Sequence, residues 1–163
     1  MEQIGAVIAA AGLSSRMGDF KPLLPFGKAC IAYHLVSMLK QADVSPIVMV
    51  TGYRGEELEA SLSDFGIQFV RNRNYASTEM LDSVKLGFDA IRGTCSAVLV
   101  MPVDVPAVTL KTVRQIMMEQ SPIVRTKCGS RRGHPVKLNA EMMEAVTAYD
   151  GEHGLKGFLP KKT

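Results

Sequence analysis

The 163-residue sequence has few cysteines and little net charge, and each shortage excludes a class of protein. The three cysteines, Cys30, Cys95 and Cys128, are odd in number and widely spaced, and no C-x-x-C pair occurs. This pattern argues against a disulfide framework or a structural zinc site, and it favours a reducing compartment. The net charge is only +3, and no Lys/Arg run exceeds two residues, so we expect no nucleic-acid partner.

Long apolar runs are also missing. The first apolar stretch, residues 4–11, is too short to cross a bilayer, and no cationic segment precedes it. We therefore expect no membrane segment, no secretory signal and a cytoplasmic location. The apolar fraction of 47% is typical of a globular protein with a core. Because no repeat, low-complexity tract or linker divides the chain, the sequence predicts one domain over residues 1–163.

Short apolar runs alternate with segments of helical periodicity along the chain. The apolar runs predict strands at residues 4–10, 46–52, 67–70, 96–104, 122–126 and 133–138. The periodic segments predict helices at residues 29–40, 55–64, 80–91, 109–119 and 140–148. This alternation predicts an α/β fold in which a mostly parallel sheet has helices on both faces.

Polar residues directly follow two of the predicted strands. The loop at residues 12–21 follows the first strand, and Asp104 ends the fourth, which is the most apolar one. In open α/β sheets, ligands bind outside the carboxyl ends of the strands. If both strands run parallel, we expect these two polar segments to lie at the same edge of the sheet.

The loop after the first strand combines small residues, hydroxyl groups and two cations. Gly12 permits close backbone approach, Ser14 and Ser15 offer donors, and Arg16 and Lys21 add positive charge. Backbone donors with cations suit a polyphosphate, although a flexible loop with solvated cations has the same composition. The spacing matches neither a P-loop nor the dinucleotide G-x-G-x-x-G motif.

The arrangement of this loop is more specific than its composition. The stretch AAGLSSRMGDFKPLL closely resembles the AAGxSxRMGxxKxLL loop of the molybdenum cofactor nucleotidyltransferases, within the wider NTP-transferase (MobA-like) family. MPVDVP, at residues 101–106, is similar to the D-x-P metal-binding turn of that family. RRGHPVKL, at residues 131–138, resembles the G-H-P segment of its cytidylyltransferase branch. With MLDSVKLG, at residues 80–87, the resemblance extends over nearly the whole chain.

The resemblance implies a three-layer α/β/α, Rossmann-like nucleotide-diphospho-sugar transferase fold and a reaction. In that reaction a nucleoside monophosphate passes from an NTP to a phosphate of a small acceptor of molybdopterin type, and pyrophosphate leaves. Such chemistry needs cations and positioning more than a proton shuttle. Arg16 and Lys21 can neutralise the β- and γ-phosphates, and Asp104 can hold Mg²⁺, the implied cofactor. A molybdoenzyme-maturation partner is a further implication.

Site residues follow from the matched motifs. Those implied to contact the nucleotide are Ala10, Ala11, Gly12, Ser14, Ser15, Arg16, Lys21, Ser83 and Asp104. Gly133 and His134 are implied to border the acceptor pocket. Simpler structural roles stay open: Asp104 is also a good turn residue, Ser83 a good helix-capping residue, and His134 a possible core or turn residue.

Two positions differ from the residues usual in related sequences. Where the cytidylyltransferase branch has a G-D-x-G-A-R-like stretch, this chain has DGEHGLKG, so Glu152 is the candidate second metal ligand. Neighbouring Asp150 could replace it, and a solvated turn is the alternative. Related guanylyltransferases usually have Gly where this chain has Ala11. The additional methyl group narrows the space beside the base, which favours CTP over GTP by a modest factor.

Other functions remain as alternatives. GTP or a sugar-phosphate acceptor would preserve the chemistry, whereas a non-catalytic nucleotide-binding module would lack it. A nicotinamide oxidoreductase on a similar sheet should have an acidic residue after the second strand, where this chain has Thr51 and Gly52.

Overall fold

We describe the fold from a computed structural model of the chain. It describes residues 3–11, 25–26, 29–103, 108–128, 131–149 and 158, with the backbone alone at 25, 26, 29, 127, 128, 131 and 132. The strands are β1 (Ile4–Ala10), β2 (Pro25–Phe26), β3 (Ala29–Cys30), β4 (Ile47–Thr51), β5 (Gln68–Arg71), β6 (Ala97–Pro102), β7 (Ile123–Cys128) and β8 (Arg131–Asn139). The helices are α1 (Ile31–Gln41), α2 (Gly55–Ser61), α3 (Met80–Ile91), α4 (Leu110–Met118) and α5 (Ala140–Ala148).

Six strands form one sheet in the order β5-β4-β1-β6-β8-β7. Strand β1 pairs in parallel with both β4 and β6, and β4 pairs in parallel with β5. Among the described strands of this sheet, β8 alone runs in the opposite direction, antiparallel to β6 and β7. The predicted α/β architecture with a mostly parallel sheet is therefore confirmed.

Helices cover both faces of the sheet because successive side chains of the central strands point to opposite faces, and those on both faces are apolar. On one face, alternate residues of β1, including Ala6 and Ile8, pack with α1, α2 and α4. On the other face, Val7 and the valines of β4 and β6 pack with α3 and α5. Gly87 brings α3 close to β1, since a Cβ atom there would lie 2.4 Å from Val7 Cγ1. The result is a three-layer arrangement with a separate apolar core on each face.

Several predicted boundaries differ from the observed ones. The helix predicted at 29–40 begins at Ile31, because Ala29–Cys30 instead pairs antiparallel with Pro25–Phe26. The helix predicted at 55–64 ends at Ser61 and is followed by a single 3-10 turn, Ser63–Phe65. Within the described ranges no helix is both long and apolar enough to cross a membrane.

Candidate functional site

The ends of β1 and β6 are adjacent. Their parallel register places Ala9 opposite Pro102, and the Val103 amide donates a hydrogen bond to the Ala9 carbonyl at 3.0 Å. The chain therefore leaves β6, toward Asp104, beside the point where it leaves β1, toward Gly12. The expectation that both polar segments start at one edge of the sheet is confirmed for the strand ends that precede them.

Most of the residues with predicted chemical roles lie outside the described residues. These are Gly12, Ser14, Ser15, Arg16, Lys21, Asp104, Asp150 and Glu152. Their predicted roles stay predictions. The described members of the predicted site are Ala10, Ala11, Ser83, Gly133 and His134.

Ala10 ends β1 and Ala11 follows it, with their methyl groups on opposite faces of the sheet. Both are buried: Ala10 packs with the α1 side and Ala11 with the α3 side. Next to them, Gly52 follows β4. A Cβ atom on Gly52 would lie 2.9 Å from the Ala11 carbonyl oxygen and 2.7 Å from Tyr75 Cβ. The backbone after β1 is thus held in close contact with the end of β4 and with the loop after β5.

Asn72 fastens that loop to the sheet. It directly follows β5, is 3% exposed, and its amide donates to the Thr51 carbonyl at 2.7 Å. Its side-chain Nδ2 donates to Thr78 Oγ1 at 2.9 Å and to Ser83 Oγ at 3.1 Å. Ser83 lies in the first turn of α3 and is itself buried. Ser83 is therefore at the carboxyl edge of the sheet, with its hydroxyl engaged by a protein partner.

The α3 N-terminus is capped by other residues. The Glu79 side chain accepts from the backbone of Asp82, and the Asp82 carboxylate accepts from the Glu79 amide at 2.9 Å. This reciprocal arrangement is a capping box, so the capping role considered for this segment belongs to Glu79 and Asp82 rather than to Ser83.

Gly133 and His134 lie at the same edge of the sheet. Strand β8 runs antiparallel to β6 with Val136 opposite Val100, so the residues that precede Val136 lie toward the end of β6. The register between β7 and β8 shifts at this point, where Arg125 is opposite Val136 but Thr126 is opposite Gly133. His134 therefore lies in an irregularity of the strand pair, toward the end of β6, the strand between β8 and β1.

Glu59 of α2 and Arg71 of β5 form an ion pair next to the end of β4. The Glu59 carboxylate of α2 accepts from Thr51 Oγ1 at 2.8 Å and from Arg71 Nη2 at 2.7 Å. The hydrogen bond to Glu59 raises the pKa of Arg71 above its ordinary value. The carboxylate that contacts the end of β4 is therefore already paired with a cation, unlike the acidic residue expected of a dinucleotide site.

Within the described residues, no group of three or more His, Cys, Asp or Glu side chains could hold a metal ion. Mg²⁺ commonly takes one or two carboxylates together with substrate phosphates. Asp104, which follows Val103 in the sequence, has a carboxylate, the type of donor that Mg²⁺ takes.

Asn72, Gly52 and Tyr75 are not among the site residues that the sequence predicts. Asn72 and Gly52 follow parallel strands directly, so the rule that selected Asp104 could have found them. Tyr75 has no such signal, because only the folded loop brings it against Gly52.

Comparisons with known proteins agree with this architecture. The sequence profile of the MobA-like NTP transferase domain matches residues 6–162. The molybdenum cofactor cytidylyltransferase of Escherichia coli is 32% identical over 151 residues, which cover 90% of this chain and 76% of that protein. The nicotine blue oxidoreductase of Paenarthrobacter nicotinovorans is 26% identical over 170 residues, covering 98% of this chain and 82% of that protein.

A solved structure confirms the fold. The crystal structure of a Mycobacterium tuberculosis protein superposes with a TM-score of 0.84 at 21% identity, covering 96% of this chain and 82% of that one. This likeness confirms the predicted Rossmann-like NTP transferase fold. Because the profile match spans nearly the whole sequence, the chain belongs to the MobA-like NTP transferase domain family, a family of nucleotidyltransferases.

Proposed function

We propose that this protein transfers a nucleoside monophosphate from CTP to a phosphate of a small acceptor of molybdopterin type. An acceptor phosphate oxygen forms a bond to the α-phosphorus, the bond between that phosphorus and the bridging oxygen to the β-phosphorus breaks, and pyrophosphate leaves. The main structural support is the adjacency of the β1 and β6 ends, joined by the hydrogen bond from Val103 to Ala9. The 32% identity to the Escherichia coli molybdenum cofactor cytidylyltransferase supports the choice of nucleotide and acceptor.

Each predicted residue has a role in this proposal. Arg16 and Lys21 neutralise the β- and γ-phosphates, whose negative charge increases as pyrophosphate departs. Asp104, with Glu152, holds Mg²⁺. When bound there, Mg²⁺ would supply positive charge beside the triphosphate and the leaving group. Since the second pKa of a phosphate ester is about 6, the acceptor is already largely dianionic at neutral pH and needs no general base.

The remaining residues provide shape. The backbone of Ala10, Ala11 and Gly12 approaches the nucleotide, and Ser14 and Ser15 donate hydrogen bonds to its phosphates. The Ala11 methyl group favours cytosine over guanine. Gly133 and His134 border the acceptor, at the edge of the sheet where β6 ends.

The central test removes one side chain that is proposed to neutralise the triphosphate and one that is proposed to bind the metal ion. We expect Lys21→Ala and Asp104→Ala each to reduce turnover about 100-fold or more, because preorganised charge supplies most of the catalysis. Turnover is measured as pyrophosphate release from CTP with a phosphorylated pterin acceptor and Mg²⁺. Lys40→Ala and Asp64→Ala remove the same side chains from exposed positions in α1 and the 3-10 turn, and should leave turnover unchanged. Full activity of both Lys21→Ala and Asp104→Ala would overturn the proposal.

A thermal-shift panel separates the alternative functions. A ligand that binds the folded state raises the apparent stability, so CTP with Mg²⁺ should increase the Tm more than GTP, ATP or UTP. A larger increase with GTP would reassign the base. Nucleotide binding without pyrophosphate release would indicate a non-catalytic module. NADH and NADPH are included because a relative is a nicotine blue oxidoreductase. A shift with them alone would contradict the transferase proposal.

A further inference from the structure

The hydrogen bonds of Asn72 determine the orientation of its side-chain amide. The backbone N–H of Asn74 lies 2.9 Å from Asn72 Oδ1, and because a backbone N–H can only donate, the atom facing it must be the carbonyl oxygen. The two hydrogens of Nδ2 are then directed to Thr78 Oγ1 and Ser83 Oγ. All the hydrogen-bonding groups of this buried side chain are therefore used.

With the amide in this orientation, the hydroxyl groups of Thr78 and Ser83 have different hydrogen-bonding roles. Thr78 Oγ1 accepts from Asn72 and donates its own hydrogen to the Asn74 carbonyl at 2.9 Å. Ser83 Oγ also accepts from Asn72, but among the described residues no acceptor takes its hydrogen. A hydroxyl has one hydrogen, so Asn72 leaves Ser83 as a donor toward another group. Leaving a buried donor without an acceptor is unfavourable, and a bound ligand oxygen would remove that cost.

We propose that Asn72 is a positioning residue, which keeps the Ser83 hydroxyl oriented to donate its hydrogen to an oxygen of the bound nucleotide. Through its backbone bond to Thr51, the same residue ties this donor to the end of β4. The inference rests on the proposed function, since it requires a nucleotide at this edge of the sheet.

The test reverses the direction of the hydrogen bond without changing the size of the side chain. In Asn72→Asp, the carboxylate can still accept from the Asn74 amide, but its other oxygen can only accept. The Ser83 hydrogen is then captured by the carboxylate and lost to the nucleotide. We expect the Kd for CTP, measured by calorimetry with Mg²⁺, to rise about five- to tenfold, the loss of an ordinary hydrogen bond. Ser83→Ala should raise it by a similar factor.

The double variant distinguishes positioning from a purely structural role. If Asn72 acts through Ser83, Asn72→Asp should add little to the Kd once Ser83→Ala has removed the hydroxyl. Asn74→Asp is the matched control, because it places the same charge two residues away on an exposed side chain. We expect it to leave the Kd within about twofold of the wild-type value.

Each outcome has one interpretation. A wild-type Kd in Asn72→Asp, or fully additive effects in the double variant, would overturn the inference while leaving the proposed function intact. A lower Tm with an unchanged Kd would likewise reduce Asn72 to a structural role. If Asn72→Asp does not fold, a wild-type Kd in Ser83→Ala overturns the inference. If the wild-type protein binds no nucleotide at all, the proposed function fails, and the inference fails with it.

Discussion

Gly52 lies where three segments of the chain meet. The segment after β1, through the Ala11 carbonyl, and the loop after β5, through Tyr75, both approach the position that a Cβ atom would occupy. Contacts of 2.9 Å and 2.7 Å leave no room for a methyl group unless backbone moves. The absence of a side chain at one residue thus permits the close packing at this edge of the sheet.

We expect Gly52→Ala to lower the free energy of unfolding by about 1–3 kcal/mol, the usual cost of overpacking. Because the displaced atoms include the Ala11 backbone, the variant should also bind CTP more weakly. Urea unfolding measures the first effect and calorimetry the second.

Gly133→Ala is the stability control for Gly52→Ala. A Cβ atom on Gly133 would lie 3.7 Å from Thr126 Oγ1, the nearest atom among the described side chains, which is an ordinary contact. We expect a change of about 0.5 kcal/mol or less. Equal destabilisation by the two substitutions would mean that crowding at Gly52 is not the cause.

At the scale of elements, helix α4 is fixed to the sheet by a buried cation. Lys137 of β8 is 3% exposed, and its Nζ donates to the carbonyls of Met117 and Glu119, at 3.1 Å and 2.6 Å. These carbonyls lie at the C-terminal end of α4, where a positive charge is favourable. One side chain therefore joins a strand to a helix that precedes it in the sequence.

Replacing Lys137 by methionine keeps much of the aliphatic side chain but removes the ammonium group. We expect Lys137→Met to lower the free energy of unfolding by about 2 kcal/mol, since two charge-assisted hydrogen bonds are lost. Lys40→Met is the matched control, because Lys40 lies in the last turn of α1 but is exposed. A loss of stability no greater than that of Lys40→Met would contradict an anchoring role for Lys137.

Local sequence patterns predict the bounds of some elements better than those of others. The predicted bounds of β1, α3 and α5 match the structure, because β1 is an uninterrupted apolar run and the two helices have apolar residues at helical spacing. The start of α1 does not, since residues 29–30 pair with residues 25–26. Apolar periodicity along a helix contains no information about such a pairing.

At the scale of the whole molecule, β1 lies inside the sheet, with β4 on one side and β6 on the other. Helices cover both of its faces. Its amides can therefore exchange with solvent only when most of the structure opens, whereas β5 and β7 lie at the edges of the sheet.

Among the strands of this sheet, we expect hydrogen exchange to be slowest in β1 and its two neighbours and fastest in β5 and β7. CTP with Mg²⁺ at about 100 times its Kd should slow the β1 amides about 100-fold, the factor by which such a ligand shifts the global unfolding equilibrium. Mass spectrometry of protected peptides measures both effects. Exchange in β1 as fast as in β5 would contradict this account of stability.

By itself, the sequence determined the type of sheet, the positions of most elements and the family. Apolar runs, apolar residues at helical spacing and a specific loop motif are local patterns, so they can be recognised in the sequence alone. Only the tertiary structure decided which strand ends are neighbours and which polar groups meet: β1 beside β6, Tyr75 against Gly52, and Asn72 on Ser83. Those contacts join residues that are distant in sequence, and they depend on strand order and packing distance, which no local pattern specifies.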